Sequence, residues 1–164
     1  MGFFSDIALV VKNHTTYEIG LIQARGYRTL KHLSAAALRD EGITTIEWAI
    51  LGILSHHKKG LRASELAKEL GVQPPLVSRL LIKAEKNKWI SVTEGEDRRE
   101  RVVKLTEKGE DGVVRIEKIM RVATRPLLKG VRPRDLLGYL RTLSIISENG
   151  RDIPQGNLED YIPD

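Results

Sequence analysis

The sequence contains no cysteine and no long hydrophobic run. Without cysteine there can be no disulfide, no thiolate zinc site and no thiol-based sensing of peroxide. No apolar stretch approaches the roughly 18 residues that a membrane span needs, and the N-terminus lacks the pattern of a signal peptide. These absences fit a reducing compartment and predict a cytoplasmic protein with no membrane partner.

The usual signatures of an enzyme are also missing. The sequence has no glycine-rich phosphate loop, no nucleophile with a suggestive base, and no cluster with the spacing of metal ligands. His56 and His57 are neighbours, so their side chains diverge on a helix, and no third ligand is evident. We therefore expect no enzyme activity, no metal and no cofactor.

The charge is unevenly distributed along the chain. The 164 residues carry a formal net charge of +5, with 27 basic and 22 acidic side chains. Residues 148–164 hold one basic residue, Arg151, and five acidic residues, which are Glu148, Asp152, Glu159, Asp160 and Asp164. The remainder therefore carries about +9, which favours an anionic partner.

Apolar residues spaced three or four apart predict helices towards both ends of the chain. Residues 5–39 form either one bent helix or two helices that meet near Gly20, because an interior glycine costs about 1 kcal/mol relative to alanine. Towards the other end, Thr106 caps a long helix that Pro126 kinks or ends, and a last helix spans about 134–147. We interpret residues 1–40 and 107–148 as dimerisation segments and residues 149–164 as an irregular acidic tail.

Residues 41–106, between these segments, predict three short helices followed by two strands. Thr44 or Thr45 caps the first helix, which ends near Gly60. The second helix covers 63–70 and closes at Gly71. The third helix opens at Gln73-Pro74-Pro75, where proline is tolerated because amides of the first turn have no helical acceptor.

After Lys88 the hydrophobic period changes from 3.6 to 2, over residues 89–93 and 101–105, which indicates a hairpin. The predicted fold is therefore mainly α with a small β-hairpin wing (α+β). It is a winged helix-turn-helix lobe flanked by helices at both ends, and in this arrangement the helix before the hairpin enters the major groove of DNA.

The third helix of the lobe has a buried face and an exposed face. Its apolar stripe consists of Val77, Leu80, Leu81 and Ala84, which leaves the opposite face to Pro75, Ser78, Arg79, Ile82, Lys83 and Lys86. Arg79 can span the two acceptors of a guanine edge, Ser78 can reach a base or a phosphate, and Lys83 suits a phosphate.

The run ELAKELGVQPPLVSRLLIKAEKNKWISV, followed by GEDRRERVVKLTEKG, resembles the DNA-binding lobe of the MarR family of transcription factors, and TTIEWAILGIL resembles the helix before that lobe. The resemblance is specific over residues 44–109, and beyond them it rests on the helical layout. It implies a regulator, such as a repressor, that binds a palindromic operator in double-stranded DNA as a homodimer and that can respond to a small-molecule effector.

The resemblance also assigns residues. Ser78 and Arg79 match the family's hydroxyl-arginine pair in the recognition helix. Asp97, Arg98 and Arg99 match the wing motif, in which an arginine enters the minor groove and an aspartate orients it. The candidate DNA-contacting residues are Ser64, Gln73, Pro75, Ser78, Arg79, Lys83, Asp97, Arg98, Arg99 and Arg101.

Three features depart from the family pattern, and one of them is a short wing tip. Arg62 stands where a threonine or serine usually caps the second helix of the lobe, and Lys88 replaces a common glycine after the recognition helix. The wing tip carries acids as well as arginines, so it is no generic basic patch, and one or two oriented arginines must do the binding.

Other assignments remain open at this point. Tyr27, Arg28, His32 and Trp48 are candidates for an effector pocket between the dimer layer and the lobe, although Trp48, like Trp89, also suits the core. The rival function is a winged helix that serves DNA architecture or protein contacts without operator specificity, because fold alone does not determine function. A regulator should prefer one palindrome over random DNA by several kcal/mol.

Overall fold

The computed structural model describes residues 16–94 and 101–150. Within them it contains six α-helices and three β-strands. The helices are α1 (Thr16–Leu38), α2 (Thr45–His56), α3 (Ala63–Leu70), α4 (Pro74–Lys86), α5 (Glu107–Thr124) and α6 (Pro133–Asn149). The strands are β1 (Leu61–Arg62), β2 (Ile90–Glu94) and β3 (Arg101–Leu105), and a 3-10 turn (Arg125–Leu128) follows α5. The mainly helical winged-helix prediction is confirmed.

The chain divides into two compact units, Met1–Arg125 and Pro126–Asp164. The first unit contains the winged lobe together with α1 and α5, and the second contains α6. The division falls after α5 because this helix packs against α1 and α2 and buries Ile116 and Met120 in the core of the first unit. None of the described helices combines the length and the apolar character needed to cross a bilayer.

Helix α1 passes through Gly20 and Gly26 without interruption, so the alternative of two helices meeting near Gly20 is excluded. A side chain at either glycine would meet open space. Residues 5–15, which the helical prediction also covered, lie outside the described residues. The last turns of α1 bring Leu38, which is completely buried, to the core of the lobe.

Two threonine side chains define where α2 and α5 begin. Thr44 caps α2 by accepting the amide of Glu47, and Thr106 caps α5 by accepting the amide of Gly109 at 3.1 Å. The Thr106 hydroxyl also donates to the carbonyl oxygen of Lys88 at 2.6 Å, which ties the start of α5 to the end of the α4 segment. The sequence left Thr44 and Thr45 as alternatives for the first cap, and the structure has Thr44, while the predicted cap at Thr106 is confirmed.

The sheet has three strands in the order β1-β3-β2, all antiparallel. The sequence predicted the β2–β3 hairpin but not β1, which pairs Leu61 with Val103 and brings the start of α3 onto the wing. Gly60 permits this approach, since its φ is +86° and a Cβ there would lie 2.7 Å from the Val103 carbonyl oxygen. Its role is therefore the close contact with β3, whereas α2 already ends at His56.

The lobe encloses one hydrophobic core that supports α4 and the base of the wing. Its buried residues are Leu38, Ile43, Ile50, Leu51, Leu54, Leu66, Ala67, Val77, Leu81, Ala84, Trp89, Ile90, Val103, Ile116 and Met120. Trp89, immediately before β2, is part of this set, as predicted, while Trp48 packs at its margin.

Candidate DNA-binding surface

Helix α4 presents the two faces that the sequence predicted. Val77, Leu81 and Ala84 are buried, and Leu80 is half-buried beside them. The six side chains of the opposite face are all exposed, and they are Pro75, Ser78, Arg79, Ile82, Lys83 and Lys86. Because one face of α4 packs against the core, the opposite face is held in a fixed orientation towards solvent.

Arg79 stands at the centre of this exposed face. Within residues 16–94 and 101–150 its guanidinium has no hydrogen-bond or ion-pair partner, so its five N–H donors are available to a ligand. Ser78 donates its hydroxyl to the Pro74 carbonyl oxygen at 3.2 Å and retains its acceptor lone pairs. The pair combines a guanidinium that has no partner in the described chain with a hydroxyl, and both groups can bind the edges of bases.

Lys83 differs from Arg79, because it has a partner. Its Nζ lies 2.8 Å from Oε1 and 3.1 Å from Oε2 of Glu47. The Glu47 side chain is only 5 % exposed, whereas that of Lys83 is 49 % exposed. Burial alone would raise the pKa of Glu47, but hydrogen bonds from Lys83 and from the amide and hydroxyl of Thr44 outweigh it, so the pKa lies below its ordinary value.

The start of α4 offers few backbone donors. Pro74 and Pro75 occupy the first helical positions and have no N–H, and the amide of Leu76 donates to the Gln73 carbonyl oxygen at 3.0 Å. An anion bound here would therefore have to be held by side chains more than by the free amides of a usual helix N-terminus. Gln73 and Ser64, two further predicted contacts, are both exposed.

The neighbouring helix α3 begins without a side-chain hydroxyl. The amide of Arg62 donates instead to the Glu65 carboxylate at 2.7 Å, so the departure from the family pattern at this position is compensated by the acid three residues later. Gly71, in the left-handed conformation at φ 65°, then ends α3 and forms the tight turn to α4, as predicted.

Lys88 shapes the connection between α4 and the wing. It has φ 60° and is the one non-glycine residue of the described chain with a positive φ. A side chain is strained in this conformation, which glycine adopts without strain. The Trp89 amide then donates back to the Ala84 carbonyl oxygen at 3.0 Å, which fixes the start of β2 relative to the recognition helix.

The wing is described at its base only. Glu94 pairs with Arg101 at the outer end of the β2–β3 ladder, and the Arg101 side chain is exposed. Asp97, Arg98 and Arg99 lie outside the described residues.

A groove between α1 and α2 contains part of the predicted effector pocket. It has a volume of about 350 Å³, and Tyr27 and Trp48 line it together with Leu30, Lys31, Ser34, Thr45, Ile46, Ala49 and Leu70. Arg28 and His32 are exposed on α1 and are not among the lining residues. Two of the four residues predicted for an effector pocket thus line this groove, and the effector pocket itself stays a prediction.

Within the described parts of the chain, no three potential ligands come together in the manner of a metal site. His57 instead approaches Glu69 at 3.2 Å, between Nε2 and Oε1.

The sequence analysis gave no role to two residues that lie on or against α4. Glu47, on α2, was recognisable only by its position in the helix cap. Ile82, on α4, is 68 % exposed and was visible as an apolar residue on the polar face.

Comparison with known proteins agrees with this geometry. The model of the MarR family matches residues 41–100. The uncharacterised HTH-type transcriptional regulator YwoH of Bacillus subtilis is 26 % identical over 125 residues, which cover 76 % of this chain and 88 % of YwoH. The expected resemblance to MarR regulators is thereby confirmed.

Solved structures share the fold beyond the lobe. The transcriptional regulator MosR of Mycobacterium tuberculosis, solved in complex with DNA, is 25 % identical with a TM-score of 0.64, and the match covers 80 % of this chain and 96 % of MosR. CouR of Rhodococcus jostii, solved bound to p-coumaroyl-CoA, is 17 % identical with a TM-score of 0.73, and the match covers 85 % of this chain and 94 % of CouR.

Proposed function

Because the model of the MarR family matches residues 41–100, we propose that this protein is a transcriptional regulator that binds a specific palindromic operator in double-stranded DNA as a homodimer. One observation carries the proposal. The exposed face of α4 presents an arginine, which has no partner among the described residues, beside a hydroxyl and an isoleucine, on a helix whose other face is buried in the core. Such a face suits the edges of base pairs in the major groove.

The individual roles follow from the chemistry of each side chain. Arg79 donates to a guanine edge, Ser78 contacts a base or a phosphate, and Pro75, at the start of α4, packs against the DNA. Gln73 and Ser64 contact the backbone from the ends of their helices. In the wing, Arg98 or Arg99 enters the minor groove with Asp97 as its orienting partner, and Arg101 supports the approach.

Dimerisation is supported by apolar side chains that neither unit buries. In α1 they include Tyr17, Leu21 and Ile22, and in α6 they include Leu137, Leu140 and Ile146. Exposed apolar patches of this kind mark interaction surfaces. A two-fold dimer would present two copies of α4 about one helical turn of DNA apart, which is the geometry that a palindrome requires.

A small-molecule effector is part of the proposal. The groove between α1 and α2 is lined largely by apolar side chains with Lys31 at its edge, which suits an amphipathic or anionic molecule. A ligand that prefers one spacing of the two lobes would shift the population between dimers that can and cannot bind the operator. CouR provides a precedent among proteins of the same fold, since it was solved with a bound coenzyme A ester.

The test is selection of bound sequences from random DNA by the purified protein. The expected result is one palindromic consensus, bound roughly 10³-fold or more tightly than random DNA. Arg79→Ala should lose about 1 to 3 kcal/mol on that site and relax its sequence preference. Binding that is strong but without a consensus would indicate an architectural protein, and weak binding at every salt concentration would indicate a protein-interaction module.

A further inference from the structure

The ion pair between Lys83 and Glu47 joins the middle of α4 to the first turn of α2. Among the described residues Glu47 is the one charged side chain that is buried. A carboxylate in such a place has lost its hydration, and hydrogen bonds and positive charge must replace it. The 2.8 Å and 3.1 Å contacts from the Lys83 ammonium supply both.

Glu47 is held firmly from the α2 side. Its Oε2 accepts the amide and the hydroxyl of Thr44, each at 2.8 Å, and its own amide donates to the Thr44 hydroxyl at 3.3 Å. These bonds lie within one helical cap, and α2 is anchored in the core through Ile50 and Leu54. The position of the Glu47 carboxylate is therefore fixed by α2. Lys83, 36 residues later in the sequence, pairs with this carboxylate and so links α4 to α2.

We propose that Lys83 is a positioning residue of the recognition helix, which through Glu47 sets the orientation of the base-reading face and does not serve as a phosphate ligand. This inference rests on the proposed function, and it replaces the phosphate role that the sequence predicted for Lys83. Arg79 lies one helical turn before Lys83 on the same side of α4. If the Lys83–Glu47 pair is lost, the orientation of α4 changes, and with it the direction in which Arg79 faces the bases.

Electrostatics supports the same assignment. Lys83 and Glu47 together carry no net charge, so the pair adds little to the release of counterions from DNA. If the Lys83 ammonium moved from Glu47 to a phosphate, the buried Glu47 carboxylate would lose its counter-ion. Lys86 is the natural comparison, because it is exposed near the end of α4 and has no ion-pair partner within the described chain.

The experiment measures operator and random-DNA affinity of the full-length protein over a salt series, using the consensus from the selection. Lys86→Met is the matched control for a phosphate contact, and it should lower the salt slope by about one per site. Lys83→Met should leave that slope unchanged. It should lower the preference for operator over random DNA about tenfold, the loss typical of one displaced base contact.

Glu47→Gln provides a second test, in which the two interpretations predict opposite signs. It keeps the volume and the hydrogen bonds to Thr44 but removes the charge that holds Lys83. A positioning role predicts a weaker operator preference, by about the same tenfold, with no further loss when Lys83→Met is added. A phosphate role predicts tighter binding and a steeper salt slope, because an acid near DNA has been removed and a lysine released.

The proposal is overturned if Lys83→Met lowers the slope as Lys86→Met does, or if Glu47→Gln tightens binding or leaves operator preference unchanged. Should Lys83→Met fail to fold, Glu47→Gln alone decides the matter. Failure of the proposed function looks different, since the wild-type protein would then select no consensus at all.

Discussion

Gly112 lies where α5 passes over the buried ring of Trp89, and replacing it with alanine tests how tightly this contact is packed. A Cβ at this position would overlap the ring, and would also lie 2.8 Å from Cε3 and 2.9 Å from Cη2. The ring cannot move aside easily, because Trp89 is 6 % exposed and its carbonyl oxygen accepts the Thr106 amide at 3.1 Å. Gly112→Ala is therefore an overpacking substitution.

Two opposing terms set the magnitude. Overpacking costs about 1 to 3 kcal/mol, and a hard overlap with an immobile ring belongs at the upper end. Alanine in a helix interior recovers about 1 kcal/mol relative to glycine. We therefore expect Gly112→Ala to lower the free energy of unfolding by about 2 kcal/mol. Operator binding should also weaken, because Trp89 leads directly into β2 and the wing.

Urea unfolding measures this effect, with all variants at equal protein concentration because dimerisation contributes to apparent stability. Gly52→Ala is the matched control. This glycine is also inside a helix of the first unit, α2, but a Cβ there would meet nothing within 4 Å. It should stabilise the protein by up to about 1 kcal/mol. If Gly112→Ala proves as stable as Gly52→Ala, the packing of α5 on Trp89 described above is incorrect.

Four further predictions concern separate features. Lys88→Gly should raise the free energy of unfolding by about 1 kcal/mol, since it relieves a left-handed side chain; a lower urea midpoint would contradict this. Leu140→Asp, at an exposed site of α6, should give a folded monomer by sedimentation if α6 forms the dimer. Hydrogen bonding to Arg115 lowers the pKa of Glu41, so this carboxylate stabilises the fold above its unfolded pKa and loses that contribution as the pH falls. The urea midpoint of Glu41→Gln should therefore drop less than that of the wild-type protein between neutral and acidic pH. Asp97→Ala should weaken operator binding although it removes an acid, and tighter binding at every salt concentration would refute an orienting role.

Features that depend on a few neighbouring residues could be predicted from the sequence. The cap at Thr44, the left-handed turn at Gly71 and the cap at Thr106 each combine a residue type with its local position. The faces of α4 followed from the helical period in the same way. Residues that act through distant partners could not be found. β1 is two residues long, and it exists because β3, some 40 positions later, pairs with it.

The two lysines of α4 illustrate this limit. Lys83 and Lys86 are both exposed cations on the same helix, and a helical projection treats them alike. They differ because a carboxylate from another helix lies within 2.8 Å of one of them. A count of exposed charges therefore does not distinguish a paired cation from one without a partner among the described residues. Since Glu47 is buried and already bound by Thr44, its charge is best neutralised by keeping Lys83, and on our proposal this pairing orients the recognition helix instead of offering a cation to DNA.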